Sequence, residues 1–166
     1  MEESIRKSDV LIEALPYIQA FAGKTVVVKY GGSALGNPPV IQGILQDLVF
    51  LRAVGLHPVL LHGGGPMISQ RLASAGKSSR FVDGMRVTDR SSMGIVSRAL
   101  EDVNRALVTR VRSLGGRPAG FVARHGVIRC EPHPHAERLG YVGVARTASS
   151  QSSFPASCSR SNTFTA

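Results

Sequence analysis

Hydrophobic residues follow two different spacings along the first two thirds of this chain. The segments 24–30 ("KTVVVKY") and 57–62 ("HPVLLH") are short, nearly continuous apolar runs, which are typical of strands buried in a parallel sheet. In 40–55 and 67–76 the apolar residues recur every three or four positions, which predicts helices. This strand–helix–strand–helix order predicts an α/β fold with an open, mostly parallel sheet and helices on both faces.

Flanking segments extend this pattern in both directions. Residues 8–20 are spaced as a short amphipathic helix. "FVDGMRVTD" at 81–89 predicts a hairpin-like turn at its Asp-Gly pair, and Asp89 is a good N-cap for a long helix. Residues 117–132 ("RPAGFVARHGVIRCEP") are interpreted as two further strands.

Residues 144–166 are rich in serine and threonine and have no periodic pattern. Such a segment buries too little apolar surface to offset the entropy lost on ordering. It is therefore expected to be disordered, or foreign to the original fold. The predicted organisation is an N-terminal helix over 1–22, one α/β lobe over 23–143, and this tail.

Composition narrows the classes of function. The chain has 166 residues, of which 43% are hydrophobic, so one domain with a real core is expected. No apolar run approaches the ~20 residues of a membrane span. Two distant cysteines without a C-x-x-C pattern favour a reduced, cytoplasmic protein. A plastid location is the alternative if the source is a phototrophic eukaryote. The net charge of +9 favours anionic ligands, but the arginines are scattered without an aromatic stripe, so nucleic-acid binding is not favoured.

Both predicted strands run into glycines. In a parallel sheet the carboxyl ends of the strands lie at one edge, where ligands gather. Backbone amides at Gly31 and Gly32 can approach a phosphate closely because glycine has no Cβ, and Lys29 can neutralise a transferring phosphoryl group. Neither known phosphate motif fits: Asn37 stands where the Walker A loop requires lysine, and the glycine spacing is wrong for G-x-G-x-x-G. The plainer interpretation is a surface lysine before a tight turn.

The second turn, "HGGGP" at 62–66, allows the same two interpretations: amides that line a ligand cavity, or a sharp strand-to-helix turn. Arg86 in the predicted hairpin can hold a carboxylate through two parallel N–H groups, although a surface arginine in a turn is the simpler alternative. His62 can act as a base, but a lone histidine at a strand end is more often structural. His133 and His135 have no cluster of acids or cysteines beside them, so no metal site is predicted.

Taken together, these segments resemble the amino-acid kinase family, and within it the N-acetylglutamate kinases of arginine biosynthesis. The matching stretches are "ALPYIQAFAGKTVVVKYGGSAL" (14–35), "DLVFLRAVGLHPVLLHGGGPMI" (47–68) and "FVDGMRVTD" (81–89), and weaker similarity continues to "LGYVG" (139–143). The resemblance implies an α/β/α sandwich. It also implies a cytoplasmic transferase that uses ATP, accompanied by Mg²⁺, to phosphorylate the γ-carboxylate of N-acetyl-L-glutamate.

The resemblance also implies a role for each candidate residue. Lys29 is the catalytic cation that stabilises the transferring phosphoryl group, and Gly31 and Gly32 bind phosphate oxygens of ATP through their amides. The implied contacts to N-acetylglutamate are the amides of the second turn and the guanidinium that holds the α-carboxylate: Gly64, Gly65 and Arg86.

Family members are usually much longer. Their C-terminal half supplies most of the nucleotide site, a second phosphate-contacting lysine and an aspartate that orients the first. The chain is therefore expected to be a truncated N-terminal lobe with low or absent kinase activity. The alternative is a non-catalytic module for binding acetylglutamate or for assembly. Candidate partners are a second copy of the chain and the PII signalling protein. The sequence alone assigns neither partner to this chain.

Overall fold

The computed structural model describes residues 2–31, 37–126 and 128–145, and the backbone of 163–165. Helices are α1 (Glu2–Phe21), α2 (Pro38–Ala53), α3 (Gly65–Ser74), α4 (Arg90–Ser113) and α5 (Ala136–Leu139), with a short 3₁₀ helix at Ala123–His125. Strands are β1 (Thr25–Tyr30), β2 (His57–His62), β3 (Phe81–Val82), β4 (Met85–Arg86), β5 (Pro118–Gly120), β6 (Cys130–Pro132), β7 (Gly143–Ala145) and β8 (Thr163–Thr165).

The main sheet has four strands in the order β1-β2-β8-β5. All of its pairings are parallel. β1 and β2 are in register over their whole length, from Thr25 opposite His57 to Tyr30 opposite His62. The predicted α/β class with a parallel sheet is therefore confirmed.

One face of the sheet carries the main core. α2 and α4 pack there against β1 and β2, and burial is nearly complete at Leu45, Leu48, Leu60 and Val111. Each such side chain contributes roughly 1.5–3 kcal/mol through removal from water. On the other face Val27 is 64% exposed and Leu61 is 38% exposed.

α4 joins the sheet to α3. The later turns of α4 bury Val103 and Leu107 against the sheet core. Its earlier turns place Ala99 against Ile68 and Leu72 of α3. A helix that packs on two partners fixes the position of α3 relative to the strand ends.

Local signals in the sequence explain several boundaries. The Asn37 side chain accepts from the backbone amide of Val40 at 3.4 Å and caps α2. In the β3–β4 hairpin, Asp83 and Gly84 have φ of 51° and 77°, and two positive φ values are the requirement of a type I′ turn. The hairpin predicted at 81–89 is thereby confirmed.

Two regions differ from the sequence expectation. α1 falls within the N-terminal helix predicted over 1–22, but it extends from Glu2 to Phe21, beyond the amphipathic spacing at 8–20, and continues through Pro16. The segment 144–166 contributes strand residues at both ends, since 144–145 complete β7 and 163–165 form β8. Residues 146–162 and 166 lie outside the described part of the chain. β7 forms by pairing with β6, and β8 by pairing with β2 and β5, which lie much earlier in the chain. The spacing of residues within 144–166 does not indicate these pairings.

A membrane-spanning helix is absent from the described residues, because none of their helices combines the necessary length and apolarity.

Asp89 caps α4, and this cap should make stability depend on pH. Its carboxylate accepts from the Ser91 hydroxyl at 2.7 Å and from the Ser92 amide at 2.6 Å. These bonds, the Ser91 hydroxyl first, lower the pKa of Asp89 from 3.8 to about 2. Because the folded-state pKa is depressed, the ionised carboxylate stabilises the fold above the unfolded pKa, and this contribution is lost as the pH falls through about 2.

We therefore expect D89N, which keeps a capping side chain but cannot ionise, to lose less stability than wild type on acidification. Urea unfolding between about pH 4 and pH 2 measures the difference in slope. D9N is the control, because it removes one negative charge at an exposed position of α1 without affecting the cap. Parallel pH profiles for wild type and D89N would show that the cap does not carry this dependence.

Candidate anion-binding site

The two glycine turns lie side by side. The in-register pairing of β1 with β2 ends at Tyr30 and His62, and the Gly63 amide donates to the Tyr30 carbonyl at 3.2 Å. Gly31 directly follows β1, and Gly63–Gly65 directly follow β2. Both turns therefore occupy the same carboxyl edge, as the sequence predicts. Gly32 lies outside the described residues.

Lys29, near the end of β1, and Gly31, directly after β1, are both open to solvent. Lys29 is exposed on the same face of β1 as Val27, and Tyr30 points into the core. A Cβ built on Gly31 would meet no atom within 4 Å. Packing therefore does not require glycine at this position, and the space beside its backbone is available to a ligand.

In the second turn, adjacent glycines differ in their surroundings. Gly64 is the N-cap of α3, and a Cβ there would lie 2.8 Å from Leu100 Cδ2. Gly65 is the first residue of α3, with nothing within 4 Å of its Cβ position. Amides in the first turn of a helix have no intrahelical carbonyl to donate to, and the helix dipole adds positive potential there. Packing against Leu100 accounts for Gly64, whereas Gly65 leaves an open backbone at a positive helix end.

Arg86 lies beside this helix end. Its Nη2 donates to the Gly65 carbonyl at 3.3 Å and to the Ser69 hydroxyl at 2.8 Å. Its Nη1 donates to the Ser79 hydroxyl, and the guanidinium carbon lies 4.6 Å from the Phe81 ring centroid. Burial lowers the pKa of Arg86 from its ordinary value, but an arginine remains a cation under these conditions. The structure thus brings together two of the predicted substrate contacts, Arg86 and Gly65.

The contacts of Arg86 limit how it can hold a carboxylate. A guanidinium has five N–H donors, and both hydrogens on Nη2 have acceptors within the chain. Each of its two parallel N–H pairs includes Nη2. A two-point grip on a carboxylate therefore requires displacement of Gly65 or Ser69, whereas single N–H contacts from Nε or Nη1 do not.

Sequence reasoning missed the partners of His62. Its Nδ1 lies 3.1 Å from the Gly63 carbonyl oxygen, so Nδ1 carries the hydrogen. The Asn104 amide then donates to His62 Nε2 at 3.3 Å and also to the Phe121 carbonyl at 3.2 Å. Burial lowers the pKa of His62. With both ring nitrogens engaged, the structural interpretation of His62 is favoured over the base. The signal in the sequence was the polar residue Asn104, which lies among apolar residues at helical spacing in α4 and therefore needs a polar partner.

An apolar cleft lies close to this edge without including its charged residues. It has a volume of about 360 Å³ and lies between α2, α3 and α4. The residues that line it are Ile41, Pro66, Met67, Gln70, Asp102, Val103, Ala106, Leu107 and Arg110. Lys29 and Arg86 are not among these residues. The candidate site is therefore described by its charged groups and backbone amides and not by this cleft. Within the described ranges, no three histidine, cysteine, aspartate or glutamate residues are grouped to hold a metal ion.

The fold is an α/β protein with a parallel sheet, and its carboxyl edge brings together groups suited to bind anions: an exposed lysine, an arginine and open glycine backbones. Residues 24–151 match the model of the amino acid kinase family, and the chain belongs to that family.

Individual relatives are similar over most of this chain. The acetylglutamate kinase of Thermoanaerobacter pseudethanolicus is 43% identical over 143 residues, which are 85% of this chain and 48% of that protein. The acetylglutamate kinase of Halothermothrix orenii is 46% identical over 127 residues, 76% of this chain and 44% of that protein. The chain thus spans about half the length of the curated relatives it matches.

Among solved structures, the N-acetylglutamate synthase of Neisseria gonorrhoeae, complexed with coenzyme A and N-acetyl-glutamate, has a TM-score of 0.75. The sequences are 21% identical, and the match covers 93% of this chain and 36% of that one. At this identity the likeness shows the fold alone.

The contrast between Gly64 and Gly65 predicts different effects of adding a methyl group. G64A should lower the free energy of unfolding by ~0.5–1 kcal/mol, because alanine is a poorer N-cap than glycine and the Leu100 side chain must shift to admit the new Cβ. G65A should be neutral or slightly stabilising, because its Cβ position is open and alanine favours helix more than glycine does.

Urea unfolding of both variants measures this difference. In the combined variant G64A/L100A, the loss should be smaller than the sum of the two single losses. Equal destabilisation by G64A and G65A would contradict the distinction between a packing glycine and an open one.

Proposed function

We propose that this chain carries the N-acetylglutamate-binding part of an acetylglutamate kinase, a transferase that phosphorylates the γ-carboxylate of N-acetyl-L-glutamate with ATP in arginine biosynthesis. The family membership and the names of its relatives support this proposal. The observation that carries it is the contact between Arg86 Nη2 and the Gly65 carbonyl at 3.3 Å. This contact brings the Arg86 guanidinium of the hairpin to the first turn of α3, at the sheet edge where β1 ends just after Lys29.

In this proposal the site separates two anionic groups. Arg86 and the open amide of Gly65 at the start of α3 bind the acetylated amino acid, with Arg86 on its α-carboxylate. Gly64, the residue before Gly65, gives the same substrate a further backbone contact. A cation beside a helix N-terminus suits a carboxylate, because both supply positive potential without a proton transfer.

The first turn takes the phosphate side. The open backbone at Gly31 lets amides approach phosphate oxygens, with Gly32 as the next contact. Lys29 lies two residues earlier, where its ammonium group offsets the negative charge that develops as the phosphoryl group moves to the γ-carboxylate. Loss of one such electrostatic contact typically costs 10²–10³-fold in rate, or about 3–4 kcal/mol. ATP with Mg²⁺ supplies the phosphoryl group, and the proposed transfer forms no covalent intermediate with the protein.

Calorimetric titration of the 166-residue chain with N-acetyl-L-glutamate tests the proposal. R86A should weaken binding roughly 10–100-fold, because charge-assisted hydrogen bonds are each worth about 1.5–3 kcal/mol. R80A is the matched control, since Arg80 is exposed at the base of the same hairpin. We expect R80A to bind as wild type does.

Absence of N-acetylglutamate binding by wild type, or equal binding by wild type and R86A, would overturn the proposal. A coupled assay for ADP formation then separates two forms of the function. Turnover that requires both N-acetylglutamate and Lys29 supports the kinase. Binding without turnover supports a module that recognises the acetylated amino acid without phosphoryl transfer.

A further inference from the structure

We infer that Ser69 is a positioning residue for Arg86, fixing the guanidinium against the N-terminal turn of α3. This inference rests on the proposed function, in which Arg86 holds the α-carboxylate of the substrate. Ser69 is not among the residues that the sequence motifs mark out. It lies four positions after Gly65 on the same face of α3, so both present acceptors to one side of the helix.

The need for such a residue follows from where Arg86 starts. It belongs to a hairpin whose two strands have two residues each, and a long arginine side chain loses much rotamer freedom when it is held in one position. Contacts with Phe81 and Ser79 hold it within its own segment. Those contacts leave its position relative to α3 undetermined.

Two acceptors on α3 supply that missing constraint, and they differ in strength. The Gly65 carbonyl is 3.3 Å from Nη2, a long distance for a hydrogen bond. The Ser69 hydroxyl is 2.8 Å from the same nitrogen, the usual length when the donor is charged. Ser69 is therefore the stronger of the two links between Arg86 and the helix that carries the Gly65 amide.

The positioning also sets the contact with the ligand. With Nη2 occupied by Ser69 and Gly65, the Nε–H and one Nη1–H remain for a carboxylate. The substrate would then receive a single N–H contact from Arg86 and a second contact from the α3 amides. Removal of Ser69 frees Nη2 but also frees the guanidinium to leave α3, so the affinity falls.

A matched serine on the same helix provides the control. The hydroxyl of Ser74 donates to the Gln70 carbonyl at 3.0 Å, at an exposed position. S74A removes a helical hydroxyl as S69A does, without touching Arg86. S69T keeps a hydroxyl at the position under test.

The experiment measures two quantities on the 166-residue chain. In calorimetry with N-acetyl-L-glutamate, S69A should bind about tenfold more weakly, while S69T and S74A should stay close to wild type. In ligand-free ¹⁵N NMR, rotation of the Arg86 guanidinium about its Nε–Cζ bond should be faster in S69A than in wild type. Melting temperatures should stay within a few degrees, since Ser69 is outside both core clusters.

The two readouts separate failure of this inference from failure of the proposed function. If wild type does not bind N-acetylglutamate, the proposed function fails, and the guanidinium rotation still decides whether Ser69 positions Arg86. Unchanged rotation in S69A overturns the inference. Affinity in S69A equal to or tighter than wild type, with wild type binding normally, also overturns it.

Discussion

The parallel pairing of β1 with β2 is the constraint on which the candidate site depends. Their ladder runs without a slip to Tyr30 and His62, and the Gly63 amide continues it by bonding to the Tyr30 carbonyl. Two turns that are 32 residues apart in sequence, beginning at Gly31 and Gly63, thereby become neighbours. A shift of one residue would turn Tyr30 out of the core and Lys29 into it, because side chains alternate between the faces of a strand.

The sheet edge becomes a candidate site because α4 holds α3 in place. The earlier turns of α4 pack on Ile68 and Leu72, and its later turns join the core beneath the sheet. The first turn of α3 is thereby fixed next to β2. Apolar burial sets the frame, whereas the few hydrogen bonds of Arg86 set the final position of its charge. The residues that stabilise the fold are therefore largely separate from those proposed to recognise the ligand.

Sequence patterns predicted the parts of this molecule that depend on neighbouring residues. The valine run of β1, the Asp-Gly turn of the hairpin and the capping carboxylate of Asp89 each specify local geometry, and each appears where it was predicted. The same patterns placed both glycine turns at one edge, because parallel strands end together.

What the sequence did not predict depends on contacts between distant segments. Ser69 reaches Arg86 across 17 positions, and Asn104 reaches His62 across 42. β8 lies between β2 and β5 and pairs with both. Serine, asparagine and threonine occur in many surroundings, so their identity does not indicate a partner. The kinship with amino acid kinases supplied roles for residues whose type alone left two interpretations open.

The central claim is that the turns after β1 and β2 border one anion-binding site. The most direct measurement is a ¹H–¹⁵N NMR titration of the 166-residue chain, first with N-acetyl-L-glutamate and then with pyrophosphate added to the saturated complex, in which the backbone amides of Gly31 and Gly65 are followed together. The account predicts that N-acetyl-L-glutamate shifts Gly65, that pyrophosphate shifts Gly31, and that both ligands stay bound in the doubly saturated chain. Displacement of one ligand by the other, or shifts confined to the scattered surface arginines while both glycine amides stay fixed, would contradict it.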